Sequence, residues 1–134
     1  MLASIVGVDY ANTVPHQIIR INTSIILFAL EWLSRIKPER VLFTSSSECY
    51  AGTIESFQAE IPTAESVPLT ITDIGHPRFS YAVTKMLGES GFMNYAFSGF
   101  FHANIVRYHN VYGPRMGFKP VSYTHLTLPT ICSV

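Results

Sequence analysis

Tyr81 and Lys85 stand four residues apart in the stretch PRFSYAVTK, a spacing that on a helix puts both side chains on one face. A free phenol ionises near pH ~10 and is a poor base at neutrality. An ammonium held within several ångströms favours the phenolate and pulls that value down, so the pair offers a proton acceptor for a hydroxyl group. Alone the spacing is weak evidence, since an amphipathic helix with an exposed lysine accounts for it equally well. A second cluster agrees with the chemical reading. In VLFTSSSECYAG, the residues Ser45, Ser46, Ser47 and Glu48 follow directly on a short apolar run, and open α/β sheets bind ligands at the carboxyl ends of their strands. If extended geometry persists, Ser46 and Glu48 point to the same side. The plainer alternatives are a polar loop cap for the serines and a solvated carboxylate for Glu48.

The elements that must position these residues are legible from periodicity. From Pro15 to about Lys37, apolar residues (Ile18, Ile21, Ile25, Phe28, Trp32) recur at three- and four-residue steps, which predicts a helix. Asn12 or Thr13 can cap its start, Pro15 fits its first turn and Pro38 closes it. Ile19, Ile26, Leu30 and Leu33 widen the apolar surface, as for a helix buried on more than one side. Arg40 to Ser45 reads as a buried parallel strand, and His102 to Tyr108 as another. Between them, Cys49 to Pro77 is too long for an ordinary connection and reads as a functional loop. A second helix runs from about Ser80 to Phe97 and stops at Gly99. Alternation of strand, helix and strand predicts an α/β fold, part of a Rossmann-like, doubly wound parallel sheet. The aromatic cluster Phe92, Tyr95, Phe97, Phe100 and Phe101 reads as core packing.

Composition narrows the function classes. Charged residues make up 13% and apolar residues 48% of the 134; so little charge suits the buried centre of a larger α/β protein rather than a complete small domain. A formal net charge of zero favours neither nucleic acid nor an anionic membrane as partner. Ile25 to Leu30, the longest apolar stretch, is far short of the roughly 20 residues of a membrane span. Cys49 and Cys132 make no disulfide framework, which points to a reducing, cytoplasmic setting. The five histidines show no metal-ligand spacing, so no metal site is expected. Arg107 and Arg115 could pair with phosphate, although Arg107, inside a strand, is as plausibly a buried structural partner.

The C-terminal segment Val121–Val134, VSYTHLTLPTICSV, continues no earlier pattern. The DNA string GTC TCT TAT ACA CAT CTG ACG CTG CCG ACG translates to its first ten residues and resembles a transposon-end sequencing adapter read in frame. Residues 1–120 are therefore expected to carry the native domain, and 121–134 to be a non-native tail.

The order TSSSECY, PRFSYAVTK and IVRYHNVYGPRMG resembles the extended short-chain dehydrogenase/reductase family, the NAD-dependent epimerases and dehydratases that act on sugar nucleotides. The resemblance covers about Met1 to Lys119. It implies catalytic roles for Ser46, Tyr81 and Lys85, with Glu48 at a position where dehydratases and decarboxylases carry an acidic residue and simple 4-epimerases often do not. Asn110 would touch the nucleotide-sugar substrate together with Ser46 and Glu48. The opening Leu2, Ala3 and Ser4 resemble a segment whose backbone lines the cofactor, and Asn22 matches a mid-helix asparagine near the active site. The expected cofactor contacts are thus Leu2, Ala3, Ser4, Asn22, Thr44, Ser45, Tyr81, Lys85 and Tyr108, with NAD as cofactor.

Under that resemblance Tyr81 takes a proton from a sugar hydroxyl as hydride leaves for the nicotinamide, Lys85 holds the cofactor ribose, and Ser46 orients the reacting hydroxyl. It also implies a homodimer formed through the two long helices. Cys49, Ala51 and His109 depart from the usual residues at their positions. The glycine-rich G-x-x-G-x-x-G loop that binds the cofactor pyrophosphate is absent from the sequence, so the chain is expected to be an interior fragment, inactive by itself, of an active parent. The rivals are a non-catalytic NAD(P)-binding sensor, which would have no reason to keep Ser46, Tyr81 and Lys85 together, and an inert truncation.

Overall fold

The computed structural model describes residues 4–109. In chain order its elements are α1 (Val8–Thr13), α2 (Pro15–Ile36), β1 (Arg40–Ser46), a single 3₁₀ turn (Ser47–Tyr50), α3 (Ala51–Phe57), α4 (Phe79–Phe97) and β2 (His102–Tyr108). The strands pair in parallel, from Arg40 opposite His102 to Ser46 opposite Tyr108. With α4 carrying the chain between them, this is the mixed α/β, partial Rossmann-like unit expected from the alternation of elements.

Helix α2 begins at Pro15, whose fixed φ and missing N–H suit the first turn. Neither Asn12 nor Thr13 caps it, because both belong to α1. There Thr13 is already inside a helix, and its hydroxyl donates back to the Asp9 carbonyl at 2.6 Å. The helix ends where Lys37 adopts a left-handed conformation (φ 44) and its N–H reaches the Leu33 carbonyl, ahead of Pro38. Its buried stripe is Ile18, Asn22, Ile26, Leu30 and Leu33, rotated from the expected one. Phe28 and Trp32 lie on the outside.

Helix α4 stops as Gly99 predicts. Gly99 has φ 81, its N–H bonds the Ala96 carbonyl, and the Phe100 N–H reaches back to Tyr95, the paired bonds of a Schellman end. Two glycines let this helix press close. A Cβ on Gly88 would sit 2.3 Å from the Phe43 ring, and one on Gly91 would sit 2.7 Å from Leu30. The core therefore lies between α2, α4 and one face of the sheet. It gathers Ile26, Leu30, Leu33, Val41, Phe43, Phe92 and Phe101, with Phe43 and Phe92 stacked at 4.7 Å. Of the aromatic cluster, Phe97 is the exception and stands in solvent.

The segment 49–77 is not one loop. Ser46 accepts a hydrogen bond from the Glu48 N–H and starts the 3₁₀ turn, which runs on into α3. The stretch after α3 folds back onto it. Thr53 donates to the Pro68 carbonyl, and the Thr70 N–H donates to Thr53. The Thr70 carbonyl lies 2.1 Å from where a Cβ of Gly52 would be, a packing only glycine permits.

Candidate active site

Alternation along β1 gives its carboxyl end two sides. Phe43 and Ser45 face the helices, whereas Thr44 and Ser46 face the other way. Ser46 is the last extended residue (φ −148, ψ 149), and the first turn of α4 brings Tyr81 up to it. The nearby Ser4 and Ser46 hydroxyls both favour the Tyr81 phenolate, so Tyr81 stands between the N-terminal segment and the strand end.

Lys85 lies one turn further along α4, on the same side as Tyr81. Its ammonium donates to the Thr44 carbonyl at 2.8 Å and lies 5.5 Å from the centre of the Tyr81 ring and 5.3 Å from that of Phe43. Lys85 is only 5% exposed, and burial lowers its pKa from the ordinary value. An ammonium has three donors; among the described residues one carbonyl accepts from it. That donor capacity, buried beside converging hydroxyls, fits a polyhydroxylated group such as a nucleotide ribose.

Tyr81 departs from expectation in one respect. Burial pushes its phenol up, against the pull of Ser4 and Ser46, and the nearby Cys49 and Glu48 add to the rise, so that it sits above the ordinary value. The ammonium of Lys85 is directed at Thr44 and stacks over the ring rather than meeting the hydroxyl, and desolvation prevails.

Glu48 also differs. Extended geometry ends at Ser46, so the expected alternation with Glu48 does not hold. The carboxylate instead turns to Arg78, 3.4 Å from Nε, while Arg78 also bonds Glu55 at 2.9 Å. Arg78, just ahead of α4, has no signal in the sequence beyond being a cation next to the tyrosine motif.

Two of the expected cofactor contacts, Asn22 and Ser45, have protein partners of their own. Asn22 is 3% exposed, and both ends of its amide are engaged by Ile5: Oδ1 accepts from the Ile5 N–H at 2.7 Å and Nδ2 donates to its carbonyl at 3.0 Å. It tethers the segment that carries Ser4. Ser45, by alternation, points to the helix side, where its hydroxyl donates to Glu89 and lies 3.5 Å from the Cys49 sulfur. Tyr108 ends β2 opposite Ser46 and is partly exposed on the same face. Leu2, Ala3, Asn110, Arg115 and the 121–134 segment lie outside the described residues.

Of the two readings left open for Arg107, the structural one holds. Its Nε and Nη2 engage Glu89 at 2.9 and 2.6 Å, a two-pronged pair. Its Nη1 donates to the Tyr50 hydroxyl at 2.6 Å and the Glu65 carbonyl at 3.1 Å. Glu89 could have been suspected, since it continues the spacing of Tyr81 and Lys85 by one more turn. Among the described residues no group of three or more His, Cys, Asp or Glu could hold a metal ion, and no helix is long and apolar enough to cross a membrane.

A partial Rossmann-like unit with a tyrosine, a buried lysine and a serine gathered at its strand ends has the layout of a nucleotide-cofactor enzyme. The family model of the NAD dependent epimerase/dehydratase family matches residues 1–133, and the chain belongs to that family. No curated protein matches the chain.

Proposed function

We propose that the chain carries the reaction centre of an enzyme that transiently oxidises a hydroxyl of a nucleotide sugar, with Tyr81 as the proton acceptor. The observation that carries this reading is Tyr81 and the buried ammonium of Lys85 side by side on α4, at the end of the strand that closes with Ser46. NAD, when bound, supplies the hydride acceptor. Ser46 hydrogen-bonds the reacting hydroxyl and holds it against Tyr81, which receives the proton. Lys85 offers its remaining donors to the cofactor ribose, and its positive charge favours the phenolate once the site is closed to water. Ser4, next to the Ile5 backbone that Asn22 holds, also favours the ionised tyrosine. Leu2, Ala3, Thr44 and Tyr108 complete the proposed cofactor contacts, and Asn110 the contacts to the sugar nucleotide.

Glu48 is the residue that separates subclasses. A keto-sugar acidifies its neighbouring protons, and a carboxylate at this position can remove one, as a dehydratase or decarboxylase requires. A dimer in a cytoplasmic setting completes the reading. The exposed Leu27, Phe28, Trp32 and Ile36 of α2 form the kind of apolar surface that marks a protein contact.

The test uses the protein expressed from its complete gene and offered UDP-glucose, dTDP-glucose and GDP-mannose in turn. Tyr81→Phe abolishes the appearance of reduced cofactor; turnover within twofold of wild type would remove Tyr81 from its role. Glu48→Gln lowers the rate of a dehydratase at least tenfold and leaves a simple epimerase nearly unchanged.

A further inference from the structure

On the helix side of β1, directly behind Ser46, lies a second polar cluster that the reaction itself does not use. Glu89 on α4 accepts from Ser45 of β1 and from two nitrogens of Arg107 of β2. Ser45 and Arg107 are direct partners in the strand register, so one carboxylate clasps the ends of both strands. Arg107 extends the grip. Its guanidinium stacks 4.7 Å from the centre of the Tyr50 ring and also donates to the Tyr50 hydroxyl, and it reaches the Glu65 carbonyl of the long segment after α3. The side chains of Arg107 and Glu89 are 19% and 10% exposed. A pair so far removed from water loses much of its attraction to desolvation, and matched apolar residues often replace such pairs with little loss of stability. What apolar residues do not reproduce is the fixed direction of five hydrogen bonds.

We propose that Glu89 and Arg107 are a positioning pair for the reaction centre: they lock Ser45, and with it the neighbouring Ser46, against α4, the helix that presents Tyr81. Tyr81, Lys85 and Glu89 follow one another at four-residue steps on α4. The helix that presents the phenol is therefore the helix that holds the strand end, and phenol and serine share a single frame. The proposal rests on the reading of Tyr81 as proton acceptor only for its catalytic consequence; its structural consequence is measured without any substrate.

The experiment isolates the titration of Tyr81 as the ultraviolet difference between a protein and its Tyr81→Phe counterpart, in the full-length wild type and in the double variant Glu89→Met/Arg107→Met. Displacement of the Ser46 hydroxyl away from Tyr81 raises the midpoint of the Tyr81 titration by about one pH unit, a tenfold change in its ionisation constant. The melting temperature stays within a few degrees, and kcat falls at least tenfold with KM changed less than threefold. A folded double variant with an unmoved Tyr81 midpoint overturns the proposal. Should the double variant not fold, Arg107→Lys keeps the charge opposite Glu89 but loses the second prong and the bonds to Tyr50 and Glu65. It moves the midpoint in the same direction by a smaller amount, and an unmoved midpoint there is equally fatal. A moved midpoint combined with full turnover by Tyr81→Phe would sink the catalytic reading while leaving the positioning pair standing.

Discussion

Two polar regions share helix α4, one turn apart, and they are built on opposite principles. Around Glu89 every polar atom is spent: the carboxylate holds an arginine and a serine, and the arginine holds a tyrosine and a carbonyl. Around Tyr81 polarity is left over. Lys85 is buried with one carbonyl acceptor among the described residues, and the buried hydroxyl of Ser80, next to Tyr81 in the chain, has no hydrogen-bond partner among them. An unmet buried polar group costs about 1–3 kcal/mol, so such a region is tolerated where a ligand completes it. The saturated region builds the frame, and the unsaturated one is where the chemistry fits. The helix supplies both from one repeating spacing.

The contrast can be broken most severely from the site side. Lys85→Met removes the buried ammonium while keeping the length of its stem. On the proposed reading turnover falls by about 10²–10³, the scale of losing an acid–base or orienting group, while the melting temperature holds or rises, because burial disfavours the charged form that is removed. Steady-state rates beside a thermal melt decide it. A large drop in melting temperature with retained turnover would make Lys85 a structural residue like Arg107.

On the frame side the same kind of deletion has the reverse signature. Arg107→Ala leaves the Glu89 carboxylate buried and unpaired, which costs about 3–5 kcal/mol of stability, read from urea unfolding. A loss below about 1 kcal/mol would mean that water reaches Glu89 freely and that the region is not the closed frame described. Gly88→Ala probes the seam between the two regions. Its added methyl would meet the Phe43 ring at 2.3 Å, directly beneath the ring that Lys85 overlies, and overpacking of this kind costs about 1–3 kcal/mol.

Much of this arrangement is legible in the sequence, for reasons that differ by region. The long helices and both strands follow from periodicity, and Gly99 and Pro15 mark their ends because their backbone preferences are local. The grouping of Tyr81, Lys85 and Ser46 was readable because helix spacing and strand ends are short-range geometry. Glu48 misled because its orientation depended on whether the strand continued two residues further, and the Ser46 hydroxyl, by accepting from the Glu48 N–H, turns the chain there instead. Asn22 and Ser45 are expected at the cofactor, and the protein partners they also hold, Ile5 and Glu89, lie 17 and 44 residues away. No local pattern announces such pairings. The short helix α3 is hidden for a similar reason, since its seven residues are held by the returning stretch 68–70 rather than by their own periodicity.

The smallest effect expected is also the one that distinguishes the frame by pH alone. Burial pushes the Glu89 carboxyl up, but hydrogen bonds from Arg107 and Ser45 together with the guanidinium charge outweigh it, and the group is held below the usual carboxylate range. The unfolded chain therefore takes up this proton first. The stability Glu89 contributes is complete above the ordinary carboxylate value of about 4.3 and is lost as pH falls through the lower folded value. Cys49, in the same cluster, behaves oppositely. Burial is the main cause that pushes its thiol up to about 11, so its contribution is complete at neutral pH and is lost as pH rises from the ordinary thiol value of about 8.5 toward 11. Melting temperature followed against pH should thus show an acid limb that flattens in Glu89→Gln and an alkaline limb that flattens in Cys49→Ala. If Glu89→Gln left the acid limb intact, the carboxylate would be titrating as an ordinary solvated group, and the distinction between a saturated frame and an unsaturated site on α4 would not survive.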